Sequence, residues 1–293
     1  MNERTVTGKK IGIIGIGNIG RSLLRGLLAV EMGRLGGKVF ISDVKRENLH
    51  YFESESRVVV CEDNKEVAKR SDVIILAVKP DDVRGVVEEI APLMNDEKMV
   101  VSVAAGVPTR VIERYLGKGK RVIRVMPNIG ARVGESVTAM CTGEFAGKED
   151  EMMAREIFSA IGDVYSVKES DMDVITGLSG SGVAFFAAMI EAMADGGVYE
   201  GLPHDLALEI SAKTALGAAK MILAGDKPSS IEEMTASPGG TTMRGLYAME
   251  SRGIKAAIME AVIEATKRAR EISAQLMENA IRDVQSGTDT DEG

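Results

Sequence analysis

The chain has 293 residues, 45% hydrophobic and 27% charged, with a formal net charge of −8 and only two cysteines and two histidines. That length fits about two domains, and the acidic balance argues against nucleic acid or anionic lipid as partners, since both need a basic surface. Cys61 and Cys141 are isolated, and His50 and His204 lie far from either, so the residues favour neither a disulfide framework, a metal site nor a serine–histidine triad, and the reactive group must come from a cofactor.

The N-terminus, Met1 to Arg4 followed by Lys9-Lys10, lacks the continuous apolar run and cleavage site of a signal peptide, so a cytoplasmic chain is expected. Ile11-Gly12-Ile13-Ile14-Gly15 reads as a buried strand. Gly15-Ile16-Gly17-Asn18-Ile19-Gly20 then leads into an amphipathic stretch, Arg21 to Met32. A G-x-G-x-x-G spacing says little alone. Here it follows a strand, opens a helix, and precedes a second strand, Lys38 to Ser42, that ends on the acidic Asp43. In that context the first two glycines allow a tight turn and close approach to a pyrophosphate, and the third lets helix and strand pack.

Further strands are expected at Val58–Val60, Val73–Val78, Met99–Val103 and Arg121–Met126, alternating with helices at Lys45–Glu55, Lys65–Arg70, Asp81–Met94 and Pro108–Tyr115. This alternation predicts an α/β domain built on a doubly wound, mostly parallel sheet, with ligands at the strand ends. Three of those ends carry small or turn-forming residues: Ala77-Val78-Lys79-Pro80, Ala104-Ala105-Gly106 and Met126-Pro127-Asn128. A strand at Ser136–Cys141, a helix at Lys148–Ile161 and a strand at Asp163–Val167 extend the sheet. The domain boundary falls near Glu169, which puts residues 1–168 in the dinucleotide-binding domain.

From Ser170 onward the pattern is helical, and residues 169–286 form an all-α domain. Thr176-Gly177-Leu178-Ser179-Gly180-Ser181-Gly182 places three glycines in a helical stretch, where each costs about 1 kcal/mol relative to alanine, so something, another helix or the cofactor, must approach this backbone. The run Val183 to Ile190 has no polar face, yet Glu191 stops it well short of a bilayer span. A homodimer with interleaved helical domains would cover it, and no membrane partner is expected. Helices are expected at His204–Leu223, Ser229–Thr235, Thr242–Glu250 and Ile254 to about Gln285, followed by a polar, disordered tail at 287–293.

The turn Ser237-Pro238-Gly239-Gly240-Thr241-Thr242 enters one of these helices. Pro238 fixes one φ, the glycines let the backbone bend, and the free amides at the helix start form a small-anion site with two hydroxyls beside it. An ordinary helix cap has the same ingredients. The rest of the chain favours the ligand site.

Taken together and in order, these motifs resemble pyrroline-5-carboxylate reductase, along with Leu178-Ser179-Gly180-Ser181-Gly182 and Ala194-Asp195-Gly196-Gly197-Val198. The resemblance implies an N-terminal Rossmann domain with an α-helical C-terminal dimerisation domain. It also implies NAD(P)H-dependent reduction of 1-pyrroline-5-carboxylate to L-proline, by hydride transfer to the C=N carbon, and dimers that assemble further into rings. NADPH is the expected cofactor, with NADH the alternative. The resemblance makes Gly15, Gly17, Asn18, Ile19 and Gly20 pyrophosphate contacts. It puts Ser42 and Asp43 near the adenosine ribose, Asn64 near adenine, and Ala77, Val78, Lys79, Ala104 and Ala105 along the nicotinamide half. For the substrate, a cyclic imine bearing a carboxylate, it implies Glu169, Ser237, Gly239, Gly240, Thr241 and Thr242, with the Thr242 hydroxyl on the ring nitrogen. The chain departs from the family at Val183, where proline is usual, and at Ile129-Gly130, where Thr-Pro is usual, which bears on the range of imines accepted.

Two rivals remain at this stage. A β-hydroxyacid dehydrogenase pairs a similar cofactor domain with helices but needs a catalytic lysine with an asparagine one turn later, and Gly217 stands where that asparagine would follow Lys213. A catalytically silent NADP-sensing protein would have no use for the intact Gly239–Thr242 turn.

Overall fold

The computed structural model describes residues 8–30 and 37–288. Short runs rich in β-branched residues form eight strands in one sheet: β1 (Ile11–Ile14), β2 (Val39–Ser42), β3 (Val58–Val60), β4 (Val73–Leu76), β5 (Met99–Ser102), β6 (Arg121–Met126), β7 (Ser136–Thr142) and β8 (Gly162–Ser166). Their order is β3-β2-β1-β4-β5-β6-β7-β8. Neighbours are parallel except β6 and β7, which are joined through a 3₁₀ turn at Ile129–Val133 and run antiparallel. The chain builds outward from β1 through β2 and β3, then returns to place β4 on the other side of β1. A crevice at the carboxyl ends of the strands follows from that reversal.

Successive strand residues point to opposite faces, and a parallel sheet buries both. On one face Ile11 and Ile13 pack with Leu23, Leu24 and Leu27 of α1 (Asn18–Ala29) and with Ile157 and Phe158 of α6 (Lys148–Phe158). On the other, Ile14, Ile74 and Leu76 meet α3 (Asn64–Arg70), α4 (Val83–Ile90) and α5 (Thr109–Leu116) through Val67, Val87, Ile90 and Ile112. The last helix, α12 (Ile254–Thr288), adds Ala280, Leu276 and Met277 to that second face.

Several helices differ in length from the expected ones; α6, expected to reach Ile161, ends at Phe158. The helix expected over Lys45–Glu55 is only Arg46–His50 (α2), and the one expected over Asp81–Met94 has its regular α-helical part at Val83–Ile90. Pro80 and Pro92, each near the start of a short 3₁₀ turn, confine the regular helix between them. At the other end α12 runs to Thr288, past Gln285; residues 289–293 of the expected tail, like Met1–Arg4 and residues 31 and 32, lie outside the described residues.

The chain divides into two compact units, one running through Gly180 and resuming at Ala265, the other Ser181–Glu264. In the first, the glycine-bearing stretch after α7 (Met172–Ile175) is a single π-helical turn, Thr176–Gly180. The group packed against this backbone is the side chain of Met126, from β6 rather than from another helix; its methyl would lie 2.9 Å from a Cβ at Gly180. Asn128 also reaches this turn, donating to Ser179 Oγ at 2.9 Å.

The second unit holds α8 (Gly182–Tyr199), α9 (His204–Leu223), α10 (Pro228–Thr235), α11 (Thr241–Ser251) and the start of α12. Gly197 lets α8 and α9 approach, with Ala207 3.2 Å from where its Cβ would be. Large apolar side chains stay uncovered by the chain itself, among them Phe186 at 63% and Leu223 at 84% exposure. The helical run Glu169–Tyr199 is, by length and composition alone, apolar enough to cross a membrane, with a mean hydropathy of 1.5 over its most apolar window. The uninterrupted apolar segment, Val183 to Ile190, is only part of this run.

Candidate functional site

The carboxyl ends of β1, β2 and β4 frame a cleft of about 590 Å³. Gly15, which bends the chain out of β1, has φ +96°, a conformation that favours glycine, and a Cβ there would lie 2.6 Å from the Ala77 carbonyl oxygen. Its N–H donates to the Ser42 carbonyl at 2.9 Å, which ties the turn to β2. Gly17, the residue before α1, has ordinary backbone angles and nothing within 4 Å of where a side chain would start. That open space lies over the first amides of α1, which have no intrahelical acceptor and no side-chain cap among the described residues. Gly20 is buried, and a Cβ on it would strike the Gly15 carbonyl, so the third glycine serves packing.

Of the cofactor residues expected from the sequence, Gly15, Gly17, Asp43, Asn64, Ala77, Val78 and Lys79 line this cleft. Asn18, Ile19 and Gly20 continue the same turn into α1. Ser42 sits behind the wall, buried, with its hydroxyl donating to Asn64 Oδ1 at 2.7 Å. Asn64 in turn donates to Glu89 Oε2 at 2.8 Å. Ala104 and Ala105 follow β5 at the same end of the sheet, with Ala104 almost fully buried and donating its N–H to Ser102 Oγ. The wall also includes Asn48, Asp82 and Glu89, which the sequence reading did not single out. Nothing in the local spacing marks Asn48: it lies in α2, five residues after Asp43, and only the fold brings its amide to that carboxylate.

Asp43 is held firmly. Its Oδ2 accepts the Ile16 N–H at 2.6 Å and the Asn48 side-chain amide at 3.1 Å, and its Oδ1 accepts the Lys45 N–H at 2.7 Å.

Glu169, expected on the substrate side, belongs to the first unit and is engaged there. Both its oxygens accept from Thr109, at the start of α5, and Arg124 lies 3.7 Å away, almost fully buried. Arg124 also contacts Asp173 at 3.3 Å, and Ser273 of α12 donates to the same carboxylate. The Ile129-Gly130 pair forms part of a 3₁₀ turn closed by a Gly130 N–H bond to Asn128 Oδ1 at 3.0 Å. A Cβ at Gly130 would meet the Glu135 carbonyl at 2.6 Å, so this departure from the family has a local steric reason.

The remaining expected residues belong to the second unit. Gly239 takes φ +72°, and Gly240 donates its N–H to the Ser237 carbonyl at 2.9 Å, closing the turn before α11. Gly240 precedes the helix in an extended conformation and has no side chain to cap it. The first-turn amides of Thr241, Thr242 and Met243 therefore lack a capping partner among the described residues, and Thr242 is half-buried beside them. Such a helix start attracts a small anion.

The chain matches known families and structures over most of its length. Residues 169–272 match the family model for pyrroline-5-carboxylate reductase dimerisation, and residues 10–106 match that for NADP oxidoreductase, coenzyme F420-dependent. A pyrroline-5-carboxylate reductase from Methanosarcina acetivorans is 44% identical over 268 residues, 90% of this chain and 98% of that one. The Escherichia coli protein of the same name is 34% identical, again over 90% and 98%. Among solved structures, a pyrroline-5-carboxylate reductase from Coxiella burnetii is 32% identical with a TM-score of 0.84, covering 91% of this chain and 99% of its own. A Plasmodium falciparum pyrroline carboxylate reductase with NADP bound is 28% identical with a TM-score of 0.80, covering 92% and 99%.

Proposed function

The chain belongs to the pyrroline-5-carboxylate reductase family, and we propose that it reduces 1-pyrroline-5-carboxylate to L-proline with NADPH, the last step of proline biosynthesis. The observation that carries this reading is the glycine turn at the mouth of the cleft. Gly15 bends the chain out of β1, and Gly17 leaves open space over the uncapped first amides of α1, where a pyrophosphate needs both.

Bound NADPH supplies the hydride that the C=N carbon accepts, and the chain supplies binding and orientation. Gly15, Gly17, Asn18, Ile19 and Gly20 would hold the pyrophosphate. Asp43 would border the ribose and Asn64, held from behind by the buried Ser42, the adenine, with Ala77, Val78, Lys79, Ala104 and Ala105 along the nicotinamide half. In the second unit, the amides after Ser237-Pro238-Gly239-Gly240 would bind the substrate carboxylate. Thr241 and Thr242 provide hydroxyls, that of Thr242 aligning the ring nitrogen. A cyclic iminium arrives already protonated, so no histidine is required. Glu169 is assigned to the substrate side through the resemblance; its bonds to Thr109 support a role in holding that region rather than in touching the imine.

We assign residues 1–168 to cofactor binding and 169–286 to substrate binding and dimerisation, a division supported by the dimerisation match that begins at residue 169. The uncovered apolar side chains of the second unit support a homodimer with interleaved helices; its further assembly into a ring is carried over from the family resemblance alone. A dimer also accounts for the exposed, apolar α8 without a bilayer. Turnover of NADPH with pyrroline-5-carboxylate, set against a panel of other cyclic imines, tests the reading and settles whether Val183 and Ile129-Gly130 widen the substrate range.

A further inference from the structure

A carboxylate at the end of the second strand of such a sheet ordinarily accepts the ribose 2′-hydroxyl and so favours NADH. In this chain that carboxylate is occupied. Asp43 accepts three N–H donors: those of Ile16 and Lys45 from the backbone and that of the Asn48 side chain. The bonds continue outward, because Arg21 donates to Asn48 Oδ1 at 3.0 Å and its guanidinium lies over the Tyr51 ring, 5.2 Å from the centroid. A single relay thus joins α1, the glycine turn, the end of β2 and α2.

The bond to Ile16 matters most. Ile16 is fully buried between Gly15 and Gly17, so its N–H has no water to turn to, and an unmet buried donor is costly. Two glycines would leave this peptide unit free to rotate; the carboxylate holds it in one orientation. Meanwhile three donors spread the charge that would otherwise repel a 2′-phosphate. Lys45 lines the cleft and is exposed, and Arg46, the next residue, is exposed outside the lining, which puts one cation at and one beside the place where such a phosphate would be sensed.

We infer that Asp43 is a positioning residue that holds the glycine turn in its cofactor-binding shape, and that Lys45 and Arg46, rather than this carboxylate, choose NADPH over NADH. The inference rests on the reading of the cleft as a dinucleotide site.

Calorimetric titration with NADPH and NADH tests it on the full-length wild type, Asp43→Ala, Asp43→Asn, Asn48→Ala and the double variant Lys45→Ala with Arg46→Ala. Asp43→Ala should weaken both cofactors by the same factor, about tenfold or more, and leave their affinity ratio within about twofold. Asp43→Asn, which keeps one acceptor oxygen, should recover part of the loss, and Asn48→Ala should show a smaller loss of the same kind. With saturating cofactor, kcat should stay within about threefold of wild type while the KM for cofactor rises, a split that general destabilisation would not produce. The double variant should lower the NADPH-to-NADH ratio about tenfold.

Weaker NADH with tighter NADPH in Asp43→Ala or Asp43→Asn would show that the carboxylate reads the ribose, and would overturn the inference. Wild-type affinities for both cofactors in those variants would overturn it equally, as would an unchanged ratio in the double variant. Should Asp43→Ala fail to fold, Asp43→Asn and Asn48→Ala carry the test. Wild-type protein that binds neither cofactor would instead sink the dinucleotide reading beneath it.

Discussion

Glu169 closes the start of α5 from 60 residues away: one carboxylate oxygen accepts the Thr109 N–H at 2.7 Å and the other accepts the Thr109 hydroxyl at 2.8 Å. A carboxylate at a helix N-terminus also gains from the helix dipole, and this one neighbours the buried Arg124. Glu169→Ala should therefore cost stability, about 1.5–3 kcal/mol for charge-assisted bonds of this kind, and Glu169→Gln less. Urea denaturation checks the size of the loss. If Glu169 acts through this region, the folded variants keep the substrate KM within a few-fold; a large rise in KM with unchanged stability would place it on the imine instead.

The glycine turn separates two roles that one motif conceals. Gly15→Ala forces a side chain into a left-handed conformation and against the Ala77 carbonyl, so it should destabilise the fold by about 1–2 kcal/mol or more. Gly17→Ala meets open space and normal backbone angles, so its melting temperature should hardly move. Its new methyl would instead sit where the pyrophosphate approaches, and NADPH affinity should fall about tenfold or more, the equivalent of about 1.4 kcal/mol. Thermal melts and NADPH titration on the pair check both halves. Loss of stability in Gly17→Ala, or its normal cofactor affinity, would contradict the assignment.

Burial raises both thiols, Cys61 to about 11 and Cys141 to about 12, from an ordinary value of 9.0; Glu66 adds to the first shift and Glu169 to the second. Neither should react with Ellman's reagent at pH 8 in the folded protein, and both should react in denaturant. The effect on stability follows from which state loses its proton first. Below pH 9 the thiols are protonated folded or unfolded, and their contribution is complete. As pH rises from 9 toward 11 the unfolded chain ionises while the folded one does not, so stability falls over that window. Denaturation midpoints measured from pH 8 to pH 11 check the direction.

The parallel sheet was legible because its strands are unbroken apolar runs. Val58–Val60 and Arg121–Met126 have the predicted bounds, and others, such as Val73–Leu76, end one or two residues early, where the chain leaves the ladder. Helix ends were less legible, since whether Lys45–Glu55 continues past His50 depends on what covers it. The glycine motif pointed to the cleft, but not to the task of Asp43: an acidic residue after β2 reads the same whether it faces a ribose or the backbone of the preceding turn. Only the fold brings Ile16 within 2.6 Å of it. Glu169 and Thr109 are likewise joined by the fold and by nothing in their local sequence.

The turn before α11 carries the substrate assignment. Thr242→Val keeps the shape and removes the hydroxyl; kcat/KM should fall roughly ten- to a hundredfold for one lost bond to a charged group, with cofactor affinity intact. Thr242→Ser should keep most of the activity. If Thr242 only starts a helix, Val lowers the melting temperature and leaves kcat/KM within a few-fold. Melting temperature, NADPH affinity and kcat/KM on both variants distinguish the two.

The central claim, imine reduction at the expense of NADPH, is tested most directly by following NADPH absorbance with 1-pyrroline-5-carboxylate while assaying the product as L-proline. The account predicts one proline formed for each NADPH consumed, and turnover faster than with cyclic imines that lack the carboxylate. Protein that binds NADPH yet yields no proline, or that reduces a carboxylate-free imine more efficiently, would contradict it.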